Sequence, residues 1–414
     1  MNEINTGDTG FIMICAALVL FMTPGLAFFY GGLVRSKNVV NTMMMSFAAM
    51  GVVAVQWVLW GYSLAFGPND GLLGSFAGGL QWLGLGGVGL GPNPDYSARI
   101  PHQLFMIYQA MFAIITPALI SGAIVERMKF KSYIVFIFCW STLAYDLVAH
   151  WVWGVGGWLH TMGALDFAGG TVVHVNAGVA ALVATLMLGP RKDFPHRSSP
   201  PHNVTLALLG GGMLWFGWFG FNAGSALGAS ATATVAFVAT NTAAASGMLG
   251  WMLLDTFLKG KPTAVGAITG AVAGLVAITP ACGFVTPLAA VVIGFGVSGI
   301  CYWTLNHRIK WHLDDTLDAF SVHGVGGIFG ALMTGVFATR SVNPAGGDGL
   351  LYGNPGQLLV QCAAVGSTIA FSALVTFVLL KVIGATMGIR SNDENQSEGL
   401  DLVEHGEKGY HELV

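Results

Sequence analysis

Along this chain apolar residues gather in long runs rather than alternating with polar ones, and short breaks of charge, Pro and Gly separate the runs. Eleven such runs fall at 11–34, 39–66, 102–125, 132–150, 166–189, 203–226, 232–258, 262–279, 284–306, 316–338 and 357–388. A run of about 20 apolar residues is long enough to cross roughly 30 Å of hydrocarbon as a helix. The pattern therefore predicts an all-α polytopic membrane protein with eleven transmembrane helices. The first ten residues, MNEINTGDTG, are acidic and lack the basic start of a cleaved signal peptide, so the first run reads as a true span.

Charge then orients the runs. The breaks at Arg35/Lys37, Arg127/Lys129/Lys131, Arg191/Lys192/Arg197, Lys259/Lys261 and Arg308/Lys310 alternate with breaks that hold only Arg99 and Arg340. Lys381, Arg390 and Lys408 lie at or past the end of the last run. By the positive-inside rule the N-terminus is expected outside and the C-terminus inside, which requires an odd number of spans. Composition agrees: 54% of residues are hydrophobic and 9% charged, against about 25% charged in a soluble domain. A net charge of −3 gives nucleic-acid binding no electrostatic footing. Cys15, Cys139, Cys282, Cys301 and Cys362 stand singly, without a CxxC pair, so no disulfide framework, metal site or cofactor is expected.

Two segments differ from the rest. Residues 67–101 are rich in Gly and Pro and are expected outside, and from about 389 the chain turns polar and acidic. This divides it into a transmembrane domain, 1–388, and a cytoplasmic tail, 389–414. Glycines four apart, such as Gly266, Gly270 and Gly274, Gly220 and Gly224, or Gly326 and Gly330, read as close helix-packing positions.

Ionisable groups inside hydrocarbon are costly and mark function. No Lys or Arg falls near the middle of a run, and Glu126, Asp146, Asp166, Asp255 and Asp318 are expected near run ends. Two histidines do lie inside runs: His174 in GGTVVHVNAG and His323 in FSVHGVGGIFG, on the fifth and tenth. Because five is odd, two successive five-helix units run in opposite directions. This predicts an inverted repeat of helices 1–5 and 6–10, plus an eleventh helix, with the substrate path between the halves. A lone membrane histidine reads first as a hydrogen-bonded core residue, but two at equivalent positions flanked by small residues point to a path. Burial disfavours the imidazolium, so the pair is expected to be neutral and able to donate, accept or pass a proton. Without carboxylates or an oxygen cage at that depth, the path suits a small uncharged species rather than a bare metal or alkali ion.

At these residues the chain resembles the Amt/Mep/Rh ammonium transporter family, on its bacterial and archaeal Amt side. The matching segments are PGLAFFYGGLVRSKNVVN at 24–41, YQAMFAIITPALISGAIVERMKF at 108–130, HWVWG at 150–154 and ALDFAGGTVVHVNAG at 164–178. They continue with WFGWFGFNAGSA at 215–226, DAFSVHGVGGIFG at 318–330 and GLDLVEHGEKGY at 399–410. The resemblance implies an ammonium transporter and not an enzyme: a homotrimer in the lipid bilayer of the cell (cytoplasmic) membrane, with one narrow pore per protomer and methylammonium as an analogue substrate. It implies that His174 and His323 are the pore pair and that Phe112 and Phe221 are stacked rings closing the outer mouth. It implies ammonium recognition by Trp153, Phe112 and Ser225, with Asp166 essential for ammonium recognition and deprotonation and Phe167 beside it. The stretch from Trp153 to Asp166 is about one residue longer than in well-known bacterial members, which leaves Trp151 and Trp158 as neighbours of the recognition position.

Each of these residues also has an ordinary reading. Asp166 is expected to act mainly as a helix N-cap, with its influence on ammonium secondary. Phe112 and Phe221 read as core aromatics, Ser225 as a packing serine and Trp153 as an interfacial belt residue. The tail segment implies an ordered region beneath the trimer that responds to a PII-type signal protein, with Asp401, His405, Gly406, Glu407 and Tyr410 as regulatory positions; a merely solvated acidic end is the alternative. Two rival functions stand beside transport: an ammonium sensor with little flux, and a haem-binding membrane redox protein using the paired histidines.

Overall fold

The computed structural model describes residues 3–195 and 200–410. Among the described residues, ten helical segments are long and apolar enough to cross a bilayer. In chain order they are α1 (Thr6–Leu33), α2 (Ser36–Phe66), α3 (His102–Ile124), α4 (Phe130–Met162), α5 (Gly170–Leu188), α6 (Val204–Gly224) and α7 (Ala231–Lys259). After a shorter apolar helix, α8 (Ala264–Ile278), come α9 (Pro287–His307), α10 (Phe320–Phe337) and α11 (Pro355–Met387). The 15 residues of α8 extend only about 22 Å at 1.5 Å per residue. Each predicted run overlaps one of these helices, ten of which have the length and composition to span. Arg197, together with His196 and His411, lies outside the described residues.

Three departures from the sequence reading have local causes. Helix α1 begins at Thr6 rather than 11, because the Asn5 side chain accepts the Asp8 amide at 2.9 Å and caps the first turn. Helices α5 and α10 begin at Gly170 and Phe320 rather than 166 and 316, because the residues in between form carboxylate-capped turns. Asp146, expected near a run end, lies instead inside α4 with no exposed surface, where Gln56 of α2 donates to it at 2.7 Å.

The helices pack in antiparallel pairs across the middle of the molecule. On α1, Gly25 and Gly32 lie against Gly210 and Ala207 of α6, while Gly220 and Gly224 of α6 lie against Leu18 and Cys15 of α1. Backbones approach this closely only where side chains are absent. Gly270 and Gly274 of α8 meet Gly247 and Ala243 of α7, and Gly330 of α10 meets Ala277. Helices α5 and α10 also cross antiparallel: Gly178 abuts Gly324, and Gly327 abuts His174. The first and fifth helices of one half thus pair with the first and fifth of the other, the relation expected of an inverted repeat.

The two faces of the bundle differ. The upper face carries the 67–101 segment, with a short antiparallel pair of Pro92–Asn93 and Ser97–Pro101. The lower face carries a buried charge network. There the Glu126 carboxylate takes Arg35 and Arg191, and Arg191 also grips Asp314 through both oxygens. Burial alone would raise the Glu126 and Asp314 carboxyls. The Arg191 guanidinium, helped by Arg35 at Glu126, outweighs burial and holds both below the ordinary carboxylate range. Depressed folded-state values mean that this stabilisation is present above the unfolded value of about 4 and is lost as pH falls further, through the folded values. Melting of the detergent-solubilised protein should therefore shift to lower temperature as pH drops below about 4. Glu126→Gln should lower the melting temperature at neutral pH, since breaking a buried pair costs about 3–5 kcal/mol.

Candidate functional site

The helix-start turns of α5 and α10 have the same construction. Asp166 accepts four backbone amides, from Gly169 and Gly170 on one oxygen (2.8 and 2.6 Å) and from Thr171 and Val172 on the other (2.7 and 3.1 Å). Asp315 accepts the amides of Ala319, Phe320 and Ser321 at 3.0, 2.8 and 3.3 Å. Each carboxylate opens a wide π turn, Gly170–Val175 or Phe320–Val325, and each turn carries a histidine eight residues beyond its aspartate. The capping reading of Asp166 is thus what the geometry displays. Asp315 was missed in the sequence, although its spacing to His323 repeats that of Asp166 to His174.

The turns bring the two histidines together at the centre of the bundle. Their Nδ1 atoms lie 3.3 Å apart, and their rings stack at 5.3 Å with 23° between planes. Both are almost wholly buried. On its other side His174 stacks with Trp218 at 5.4 Å, and its Nε2 has no protein partner. Trp218 is held by an Nε1 bond to Thr279 at 2.9 Å and is a further wall residue that the sequence did not single out. The pair can sit this close because a Cβ at Gly178 would collide with the Gly324 backbone, and one at Gly327 would stand 2.9 Å from His174 Cβ. Gly178→Val should force α5 and α10 apart and reduce transport at least tenfold, beyond the about 1–3 kcal/mol typical of overpacking; uptake assays on the purified variant would show it.

Above the histidines lie the two phenylalanines. Phe112 and Phe221 have ring centroids 4.3 Å apart, and each is 1% exposed. The Tyr108 hydroxyl donates to the Gly220 and Phe221 carbonyls, fixing the end of α6 where Phe221 stands. Over these rings opens a cavity of about 220 Å³, lined by Phe112, Trp153, Phe167 and Ser225 together with Tyr96 and Gln109. Trp153 meets the Phe112 ring edge-on at 5.9 Å and donates Nε1 to the Asp166 carbonyl at 2.9 Å. Trp151 instead packs on Trp158 and Phe371, away from this cavity. The Asp166 side chain is occupied by its four amides and is not part of the lining. Gln361 of α11 clamps the turn from outside, binding both the amide and the carbonyl of Leu165 at 2.8 Å.

Below the phenylalanines a void of about 10 Å³ touches Phe221, Trp218, His174 and His323, with apolar side chains of α1 and α3 closing it. That is room for about one water-sized molecule. A third cavity, about 160 Å³, starts at His323 and opens toward the lower face past Tyr30, Thr316 and the Arg308–Asp318 ion pair. Cavity, ring pair, void, histidine pair and cavity are therefore in line. Among the described residues no group of His, Cys, Asp and Glu has the makings of a metal site.

The tail folds back on the lower face. The Asp401 carboxylate accepts the Asn41 amide at 2.8 Å, and His405 pairs with the Asn41 side chain at 3.0 Å and meets the Phe130 ring. Burial raises the Asp401 carboxyl and lowers the His405 imidazole from their ordinary values. Gly406 follows at φ 69°, Glu407 is exposed, and the Tyr410 hydroxyl bonds His202 at 3.0 Å.

The model of the Ammonium Transporter Family matches residues 10–410. The chain belongs to that family. Its relatives include an ammonium transporter of Bacillus subtilis, 52% identical over 99% of both chains. The ammonium transporter Amt1 of Archaeoglobus fulgidus is 45% identical over 98% of this chain and 99% of its own. Among solved structures, Saccharomyces cerevisiae Mep2 superposes with a TM-score of 0.87 at 38% identity, covering 94% of this chain and 88% of its own. A sensor Amt protein superposes with a TM-score of 0.88 at 29% identity, covering 96% and 98%. Family membership and the apolar helices make the chain a multi-pass membrane protein whose function is ammonium transport.

Proposed function

We propose that ammonium is recruited in the upper cavity, gives up its proton there, and crosses the phenylalanine and histidine pairs as ammonia. The observation that carries this reading is the alignment of the three cavities through Phe112, Phe221, His174 and His323. In the upper cavity the faces of Trp153 and Phe112 attract a cation, by about 2 kcal/mol or more once it is desolvated. The Ser225 hydroxyl accepts a hydrogen bond from it. This is far too little to carry the charge further, since the idealised cost of moving an ion into a medium of low polarity is about 20 kcal/mol. Ammonium escapes that cost by parting from its proton, which passes to solvent water in the upper cavity and travels separately; potassium has no proton to part with. The ammonia molecule then fits the single-molecule void, where the unpartnered Nε2 of His174 offers it a hydrogen bond.

Asp166 acts through the backbone it organises and secondarily through its charge. The distribution of Lys and Arg supports an upper face outside and a lower face in the cytoplasm, with the protein in the cell (cytoplasmic) membrane. The proton follows separately along the histidine pair, making net transport electrogenic. Relatives named as transporters fit a chain without enzymatic activity. The protomers assemble as a trimer in the bilayer. The tail, 389–414, is the regulatory region, whose docked residues Asp401, His405 and Tyr410, with Gly406 turning the chain and Glu407 exposed, offer a contact for a PII-type partner. Uptake of labelled methylammonium into proteoliposomes tests the reading; the likeness to a sensor Amt protein makes specific binding without uptake the contrary outcome.

A further inference from the structure

Outside the pore, α2 and α4 enclose a second polar site in the hydrocarbon region. Asp146, Gln56, Ser141 and Tyr145 have no exposed surface at all. One Asp146 oxygen accepts the Gln56 side-chain amide at 2.7 Å; the same nitrogen reaches Thr142 at 3.0 Å, where Trp60 also donates. The second Asp146 oxygen, the Gln56 carbonyl oxygen, the Ser141 hydroxyl and the Tyr145 hydroxyl have no protein partner. Both helices widen here into π turns, Trp57–Gly61 after Gln56 and Ser141–Tyr145 before Asp146. Such turns are frequent at functional sites. Gly61 leaves the space that the Gln56 amide fills, since a Cβ there would stand 2.7 Å from its nitrogen.

Among the described residues, Asp146 has no ion pair with Lys, Arg or His. Its ionisable neighbour is Tyr145 on α4; the Tyr108 hydroxyl is bonded to the Gly220 and Phe221 carbonyls of α6, and Tyr62 and His102 are bonded to each other. Tyr145 lies within electrostatic reach of both Asp146 and Asp166. Helix α11 contributes Thr376, bonded to Trp140, and an exposed Lys381 that sits over the Phe377 ring. A buried carboxyl with one oxygen held by an amide and the other without a donor calls for a proton of its own.

We propose that Asp146 and Gln56 form a buried proton-binding site outside the pore, occupied at neutral pH. Release of the proton at alkaline pH places a bare charge in the seam beside Tyr145 and the Asp166 turn, and this depresses transport. The link to transport rests on the pore reading above; the occupied proton does not.

The test pairs infrared spectroscopy with uptake, on wild-type protein and on Asp146→Asn, which keeps the shape and removes the titration. In proteoliposomes at neutral pH the wild type should show a protonated-carboxyl C=O band that Asp146→Asn lacks. The wild-type methylammonium rate, divided by that of Asp146→Asn at each pH, should fall by about threefold over the alkaline range in which the acid band gives way to carboxylate absorption. No band attributable to Asp146 would mean an ionised side chain and would overturn the site. A band with a flat rate ratio would overturn the coupling to transport. If Asp146→Asn does not fold, the wild type alone decides: the acid band must give way to carboxylate absorption on raising pH. Absence of uptake by the wild type would count against the pore reading and leave the infrared result to judge the site.

Discussion

Asp166→Ala should lose at least about 4 kcal/mol of stability and nearly all transport. Four amides, from Gly169 to Val172, depend on this one side chain, and each buried donor left without a partner costs about 1–3 kcal/mol. The π turn that carries His174 begins at these residues, so its geometry goes with the cap. Asp166→Asn should also be destabilised, because its NH2 group faces amide donors, but less so, since one carbonyl oxygen remains. Thermal melting of the purified variants separates the outcomes. An Asp166→Ala protein that melts like the wild type yet fails to transport would show that the charge, not the cap, is what matters.

His174→Ala and His323→Ala carry the second large effect. Removing either imidazole takes away half of a stacked pair and opens the void beneath Phe221. A void large enough for several waters lets a hydrated cation through, since the barrier to ions here is the exclusion of water. Discrimination between ammonium and potassium, read as currents on a supported membrane, should fall at least tenfold. The wild type should give a current on ammonium addition and none with potassium. If neither replacement altered selectivity or conductance, the pore would lie elsewhere. Ammonia flux without current in the wild type would instead remove separate proton transfer from the account.

What the chain disclosed in advance follows physical scale. Spans were legible because about twenty apolar residues in a row have few alternatives, and ten of the runs fall on helices long and apolar enough to cross. His174 and His323 stood out because so few ionisable groups enter the runs. Trp153 was separated from Trp151 and Trp158 only by the fold, which turns one indole toward Phe112 and the others toward Phe371. Asp315 was hidden beside Asp314, which bonds Arg191 in the lower-face network; only the spacing to His323 marks it. Asp146 was misplaced because its neighbours in sequence do not reveal Gln56, 90 residues away. The π turns were not legible, since the extra residue in a helical turn leaves no mark in the hydrophobic pattern.

The most direct measurement of the central claim is uptake of labelled methylammonium into proteoliposomes holding the wild type or His174→Ala. The account predicts protein-dependent uptake by the wild type, competed by ammonium, and a clear change in rate or selectivity for His174→Ala. Wild-type vesicles that bind methylammonium without accumulating it above protein-free vesicles would contradict it.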